Sequence, residues 1–254
     1  MNKKIKSLVL AAVMGLSLTT VAVVPTTVEA ASAGAAETLI GGAVAYAYVS
    51  TAFNKMDNSK EGQEQSLARA KKQTGYLEDS AAQARVQRIM KTLEASPSVK
   101  RSYVVYANPS DDFNAFATVG RVMSVNKGAL DLLDDDELAY VMAHEISHGE
   151  HKDIVNGLKK QVGLSTAVSL AAGGGGNAAI LSNIAGNYME NQVFTMGQEK
   201  AADELGFKIL SESPYNVGAA AASMAVLRNK YGDLYREGLN QVFSPNNHLR
   251  RAAV

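Results

Sequence analysis

The sequence contains no cysteine. This absence excludes disulfide bonds, a lipid-modified N-terminal cysteine and thiolate metal ligands. The fold must therefore be stabilised by its hydrophobic core, for which 46% hydrophobic residues are available. Any bound metal ion must be held by histidine, aspartate or glutamate side chains.

The sequence also lacks an excess of charge of either sign, since 25 basic residues balance 25 acidic ones. Proteins whose main partner is a polyanion usually carry a basic excess, so this balance argues against a nucleic-acid partner. No internal repeat is present. A chain of 254 residues is long enough for one core of ordinary size, which favours one domain with short extensions.

The N-terminus combines three lysines within the first six residues with an apolar stretch from Leu8 to Val24 and a cleavage-like site at Val28-Glu29-Ala30. This pattern predicts a secretory signal peptide over residues 1–30. The protein would then be exported, with a periplasmic, cell-envelope or extracellular location. The alternative is a retained membrane anchor, although the apolar stretch is short and rich in alanine, serine and threonine.

Residues 31–59 are small and nearly uncharged up to Phe53 and predict an N-terminal arm or short helix. The apolar part is shorter than the roughly 20 residues of a membrane span, so a packing element is favoured. Association with a membrane surface is the alternative. The remaining residues, 60–254, are predicted to form the functional domain.

Within that domain, helical and extended patterns alternate. Apolar residues at three- and four-residue spacing predict amphipathic helices between residues 60 and 94. Extended segments follow at residues 103–106, 115–119 and 122–125, and Gly120 predicts a hairpin turn between the last two. Three aspartates then place a helix start near Asp135. The pattern indicates an α+β fold, mostly helical with a small β-sheet.

The C-terminal third contains a long uncharged segment followed by two predicted helices. Residues 162–189 carry no charge and are interrupted by four glycines at positions 173–176. A glycine run of this kind cannot sit inside a stable helix, so we expect two helical arms joined by a glycine loop, with a re-entrant membrane hairpin as the alternative. Two further helices are predicted, over residues 200–210 and 217–231.

The helix that starts near Asp135 carries a histidine pair with metal-binding spacing. His144 and His148 are four residues apart, so both imidazoles can reach one tetrahedral cation from the same helix face. Glu145 is turned about 100° away along the helix, which keeps its carboxylate near the cation without ligating it. The alternative is a surface helix that carries ordinary solvated side chains, which the five-residue pattern alone does not exclude.

A third ligand would favour the metal-site interpretation. His151 follows His144 by seven residues, whereas the metzincin pattern places its third histidine ten residues after the first. Glu199 is the next candidate. It lies four residues before Asp203 in a predicted helix, so the two carboxylates share one face.

Four motifs, in this order, carry a family resemblance: Asn114-Ala115-Phe116-Ala117, the stretch from Gly128 to Ala139, His144 to His148, and Glu199 to Asp203 followed by Glu204-Leu205-Gly206. Over residues 65–251 the chain resembles the HtpX-like gluzincin zinc metalloproteases. That family includes the LoiP, BepA and Oma-type peptidases and the type 1 CAAX prenyl proteases. The combination is far more specific than any single motif.

The resemblance implies a zincin-like metalloprotease domain with one zinc ion per chain. His144, His148 and Glu199 would be the zinc ligands, and Asp203 would orient a ligating histidine. Glu145 would take the proton from the attacking water. The implied function is a zinc endopeptidase that acts on unfolded or extended exported or envelope proteins, in quality control or processing. The alternative is a zinc-containing chaperone or assembly factor with little proteolytic turnover.

Two further segments each allow two roles. The strand Asn114, Ala115, Phe116, Ala117 is either part of the core sheet or an edge that binds substrate by backbone hydrogen bonds. Near the C-terminus, Ser244 stands where the family commonly has a histidine, and His248 is a possible substitute. Arg250 is a candidate catalytic residue that stabilises the oxyanion, with a plain salt bridge as the alternative.

Overall fold

The computed structural model of the protein describes residue 47, residues 50–161, residues 194–227 and residue 229. Five helices have both ends within these ranges: α1 (Lys60–Thr74), α2 (Ser80–Glu94), α3 (Lys127–Leu130), α4 (Asp135–Glu150) and α5 (Met196–Ser211). Residues 50–58, 153–161 and 219–227 are also helical. The strands are β1 (Val104–Asn108), β2 (Ala115–Thr118) and β3 (Val122–Asn126). The predicted mostly helical α+β fold is confirmed.

The three strands form one sheet with the order β1-β3-β2. β1 runs parallel to β3, and β2 runs antiparallel to it, so that Thr118 pairs with Val122 across the turn. Gly120 and Arg121 in this turn have φ values of 83° and 59°. Hairpin turns use this left-handed region because it matches the twist of the strands. The predicted hairpin at Gly120 is therefore confirmed.

Helices cover both faces of the sheet. On one face, Tyr106 of β1 and Val122 of β3 pack against Ala70 of α1. On the opposite face, Val105 and Met123 belong to the main core, which α2, α4 and α5 complete. Successive strand residues point to opposite faces, and this alternation is why both layers receive apolar side chains.

Helix α4 runs through the centre of the domain. Asp134 caps its first turn in a capping box with Glu137, and acidic residues in that turn favour the positive end of the helix. The helix start predicted near Asp135 is confirmed. Nearly all residues from Leu138 to Gly149 are buried, so the histidine pair lies on the most enclosed helix of the described structure.

Helix α5 packs against α4 at the level of the histidine pair. A Cβ atom on Gly206 would lie 3.0 Å from both the N and the Cα of His144, so only glycine permits this approach without displacement. The helix begins at Met196, four residues before the predicted start at Lys200. Thr195 and Gln198 form a capping box that fixes this earlier start.

The helical residues 50–58 pack against the domain rather than extending away from it. Phe53 is buried in a cluster that includes Ala117 of β2. Asp57 forms a buried ion pair with Arg101, and its carboxylate accepts a hydrogen bond from Gly120 N–H at 3.2 Å. These contacts connect the segment before α1 to the β2–β3 hairpin.

Several predictions fall outside the described residues. These are the signal peptide at residues 1–30, most of the arm at residues 31–59, the glycine run at residues 173–176 and the segment from Ser244 to Arg250. The predicted helix over residues 217–231 is described only up to residue 229 and is helical over residues 219–227. Within the described ranges, no helix has the length and apolar character needed to cross a bilayer.

The close approach of α4 and α5 gives a testable prediction. Gly206→Ala would push α5 away from the His144 backbone, and we expect the free energy of unfolding to fall by about 1–3 kcal/mol. The matched control on the same helix is Gly197→Ala, whose nearest neighbouring atom would lie 4.0 Å from the new Cβ. Urea unfolding followed by circular dichroism measures both. Equal effects of the two substitutions would contradict the assigned helix contact.

Candidate metal centre

The side chains of His144, His148 and Glu199 converge on one point between α4 and α5. The two Nε2 atoms are 3.2 Å apart. Glu199 Oε2 lies 3.4 Å from His144 Nε2, and Glu199 Oε1 lies 3.9 Å from His148 Nε2. Ligands about 2.0–2.1 Å from a tetrahedral zinc ion are about 3.4 Å from one another. The separations therefore fit a single divalent ion.

The outer nitrogen of His144 is bound by a carboxylate. Its Nδ1 lies 2.9 Å from Asp203 Oδ1, which is the contact that the family resemblance implied for Asp203. Tyr140, one turn earlier on α4, donates its hydroxyl to the same Asp203 oxygen at 3.2 Å. A carboxylate at Nδ1 favours the tautomer with the proton on that atom, which leaves the Nε2 lone pair directed towards the metal site.

A second carboxylate binds the outer nitrogen of His148 in the same way. Asp153 Oδ2 lies 2.9 Å from His148 Nδ1, and Gln198 Nε2 donates to the other Asp153 oxygen at 2.8 Å. Helix α4 ends at Glu150, and Lys152 has a φ of 59°, which turns the chain so that Asp153 lies beside His148. The aromatic ring of Phe194 stacks on the His148 imidazole with centroids 3.8 Å apart.

The local charges favour a cation at the convergence point. With both Nδ1 atoms protonated, two nitrogen lone pairs and the Glu199 carboxylate face one another. Glu199 Oε1 is buried and has no hydrogen-bond partner among the described residues. Burial opposes protonation of His144, yet Asp203 and Glu199 outweigh it and raise the pKa of His144 to about 10. The residues present thus fit a bound divalent cation, which would replace that proton.

Both histidine-binding carboxylates stay ionised in this environment. Burial tends to raise the pKa of Asp203, but hydrogen bonds from His144 and Tyr140 lower it below its usual value. The pKa of Asp153 is also lowered, because hydrogen bonds from His148 and Gln198 outweigh the effect of burial. Each imidazole therefore has a carboxylate bound at Nδ1, which orients the nitrogen that faces the metal site.

Glu145 lies beside the triad formed by His144, His148 and Glu199, but its own hydrogen-bond partner is on strand β2. Its Oε2 accepts a hydrogen bond from the backbone N–H of Ala117 in β2 at 3.1 Å. The residue is only 8% exposed. Burial raises the pKa of Glu145, while His148 and His144 and the Ala117 N–H oppose the rise. A carboxylate with a raised pKa is better suited to accept and pass on a proton near neutral pH.

The strand predicted to bind substrate lies at the edge of the described sheet. Ala115, Phe116 and Ala117 belong to β2, while Asn114 precedes the strand and its carbonyl accepts a hydrogen bond from Asn126 N–H. Ala115 and Ala117 are 1% and 0% exposed, and Phe116 is partly exposed. Of the three β2 residues in this motif, Phe116 is therefore the accessible one, and the two alanines are covered.

The remaining candidates do not join the triad. His151 is exposed at the C-terminal end of α4 and is not part of the group that could hold an ion. Arg250, Ser244 and His248 lie outside the described residues. The sequence analysis missed Tyr140, Asp153, Phe194 and Gln198. Of these four residues, only Gln198 had a recognisable pattern, the Thr195-x-x-Gln198 capping box.

The triad predicts a metal content that depends on His144. We expect purified protein to retain close to one zinc ion per chain through gel filtration, and His144→Ala to lose it because two ligands bind far more weakly than three. His151→Ala is the matched control, since it removes the histidine that follows the last residue of α4 and leaves His144, His148 and Glu199 unchanged. Elemental analysis measures the outcome. Equal metal content in both variants would contradict the assignment.

Comparison with known proteins gives consistent matches. The model of Peptidase family M48 matches residues 77–246. The chain is 28% identical over 138 residues to the beta-barrel assembly-enhancing protease of Escherichia coli K12, covering 50% of this chain and 28% of that protein. It is 28% identical over 130 residues to Metalloprotease LoiP of the same organism, covering 50% of this chain and 51% of that protein. It is 33% identical over 133 residues to the Protease HtpX homolog of Salinibacter ruber, covering 46% of this chain and 47% of that protein.

The chain thus spans about half or less of the length of these curated relatives. The family resemblance and the zincin-like α+β fold predicted from the sequence are both confirmed. Since the family model matches more than half of the chain, and the matched residues contain the whole histidine–glutamate group, the chain belongs to Peptidase family M48, a metallopeptidase family.

Proposed function

We propose that the protein is a zinc-dependent endopeptidase that hydrolyses peptide bonds of unfolded or extended polypeptides. One observation carries this proposal: two imidazole lone pairs and one carboxylate face a single point, and a buried glutamate of the same helix lies beside it. Membership in a metallopeptidase family supports it.

The donor set favours zinc over other common cations. Two imidazole nitrogens and one carboxylate oxygen suit zinc, whereas calcium and magnesium prefer oxygen ligands. Three protein ligands also leave a fourth position open, as catalytic rather than structural zinc sites require. A zinc ion held by His144, His148 and Glu199 would polarise the substrate carbonyl and lower the pKa of water.

Glu145 is assigned the role of general base. Its buried carboxylate would accept a proton from the attacking water and pass it to the nitrogen of the leaving amine. The hydrogen bond from Ala117 N–H occupies Glu145 Oε2 and holds the carboxylate in place, which leaves Oε1 to exchange the proton. Asp203 and Asp153 would keep the two ligating imidazoles in the required tautomer.

Substrate is proposed to bind along β2. An extended peptide that adds to this edge would form backbone hydrogen bonds and would tolerate many side chains, as a protease for unfolded clients requires. The contact between Ala117 and Glu145 supports this placement, because it joins the strand directly to the general base. Arg250 is proposed to stabilise the oxyanion as a catalytic residue from the C-terminal segment.

We propose an exported location and envelope proteins as clients. The predicted signal peptide at residues 1–30 supports export. Among the similar proteins, those named beta-barrel assembly-enhancing proteases suggest a client class in the bacterial envelope. Attachment to a membrane surface through residues 31–59 remains part of this proposal.

A second candidate function is a zinc-containing chaperone or assembly factor with little proteolytic turnover. Ser244 in place of the usual histidine favours it. The burial of Ala115 and Ala117 also favours it, because a covered strand edge slows access of substrate. Such a protein would retain zinc and bind unfolded clients without cleaving them.

Substitution of Glu145 tests the proteolytic mechanism. Glu145→Gln keeps the size of the side chain but removes the base, so we expect casein cleavage to fall by about 10²–10⁴-fold while zinc content stays unchanged. Glu204→Gln is the control, since Glu204 is an exposed carboxylate on α5. Unchanged cleavage by zinc-loaded Glu145→Gln would refute the mechanism.

Chelation separates the two candidate functions. A chelator should abolish casein cleavage, and added zinc should restore it, if the protein is a zinc endopeptidase. Zinc-loaded parent protein that binds casein in a pull-down yet releases no fragments would support the chaperone function instead.

A further inference from the structure

Residues 194–199, at the start of α5 and just before it, contact the His148 imidazole and its aspartate on three sides. Phe194 stacks on the ring, Glu199 faces its Nε2 atom, and Gln198 binds the aspartate at its Nδ1 atom. The ring itself is only 1% exposed. One short segment therefore supplies both a candidate metal ligand and the contacts that hold another ligand in place.

Gln198 uses both ends of its amide in this arrangement. Its Oε1 accepts hydrogen bonds from the backbone N–H and the hydroxyl of Thr195, both at 2.9 Å, which completes the helix cap. Its Nε2 donates to Asp153 Oδ1 at 2.8 Å. With Oε1 bound to Thr195, the amide is oriented so that Nε2 points towards Asp153.

We propose that Gln198 is a positioning residue for the metal site. Its amide orients the Asp153 carboxylate so that Oδ2 accepts from His148 Nδ1, and this directs the His148 Nε2 lone pair towards the point that Glu199 also faces. Since Gln198 and Glu199 are neighbours on α5, the same helix turn aligns two of the three ligands. This inference rests on the proposed metal site.

The orientation of Asp153 depends on which hydrogen-bonding groups the side chain at position 198 carries. The position needs an acceptor towards Thr195 and a donor towards Asp153, and the glutamine amide provides both. Glutamate would keep the acceptor for the cap but would place a second carboxylate against Asp153. The repulsion would turn Asp153 away from His148 and release the imidazole from its fixed orientation.

The experiment measures the zinc dissociation constant of the full-length protein by competition with a chromogenic chelator. We expect Gln198→Glu to weaken zinc binding by about 10–100-fold, the usual effect of removing a group that orients a ligand. Thr195→Ala is the matched control for the cap. This substitution removes the hydroxyl but keeps the backbone N–H of residue 195, which still binds Gln198 Oε1. It should therefore lower the melting temperature of the zinc-free protein by about 2–4 °C but change zinc affinity by less than about threefold.

A reciprocal substitution provides the rescue. In Gln198→Glu combined with Asp153→Asn, the new amide donates to the new carboxylate, and its oxygen accepts from His148 Nδ1. The hydrogen-bond chain is restored, and the negative charge is then carried by residue 198 instead of residue 153. We expect the double variant to bind zinc about tenfold more tightly than Gln198→Glu, whereas Asp153→Asn alone should bind more weakly than the parent.

Three outcomes would overturn the inference: parental zinc affinity in Gln198→Glu, an equal loss of affinity in Thr195→Ala, or no recovery in the double variant. Circular dichroism of each zinc-free variant identifies a folding defect. The result for His144→Ala separates this inference from the proposed function. If zinc binding requires His144 but not Gln198, only the inference fails, and if the parent binds no zinc, both fail.

Discussion

Two imidazole nitrogens 3.2 Å apart, each with a carboxylate behind its ring, require positive charge between them. Lone pairs at this distance repel one another, and the Glu199 carboxylate adds a further negative group. A proton or a cation relieves this repulsion, and the raised pKa of His144 expresses the same requirement. The arrangement is therefore stable only together with its charge, so metal binding and local folding are linked.

The fold meets this requirement by using two helices that belong to different parts of the sequence. Helix α4 supplies the histidines and Glu145 from the most buried part of the domain. Helix α5 approaches it at Gly206, where the absence of a side chain lets the second backbone lie against His144. The sheet contributes through Ala117, whose N–H holds Glu145. Rigid elements thus hold every group in the proposed chemistry that the structure describes, as precise placement requires.

Much of this could be predicted from the sequence because it depends on local periodicity. Helical spacing indicated His144 and His148, and the left-handed preference of glycine indicated the hairpin at Gly120. The contact of Asp203 with a ligating histidine was expected from the family resemblance, and the structure identifies that histidine as His144. Asp153 could not be predicted, since it reaches His148 only because Lys152 takes a left-handed conformation that its residue type does not indicate.

Two features near α5 were not predicted from the sequence: the contacts of Tyr140 and Phe194, and the position of the helix start. Tyr140 and Phe194 reach the site through tertiary packing, which a single sequence does not encode in any regular spacing. The four-residue error in the start of α5 had a local cause, because the capping box of Thr195 and Gln198 is visible in the sequence. The same glutamine then proved to contact Asp153, so a helix-start pattern also marked a residue near the metal site.

The family match begins at residue 77, after α1 and after the helical residues 50–58. Yet α1 packs against one face of the sheet, and Phe53 and Asp57 contact the hairpin that carries Ala117. The region that matches the family model thus packs against residues that precede it in the chain. A chain shortened to the matched region would expose Tyr106 and Val122 to water and leave Arg101 without its buried counter-ion.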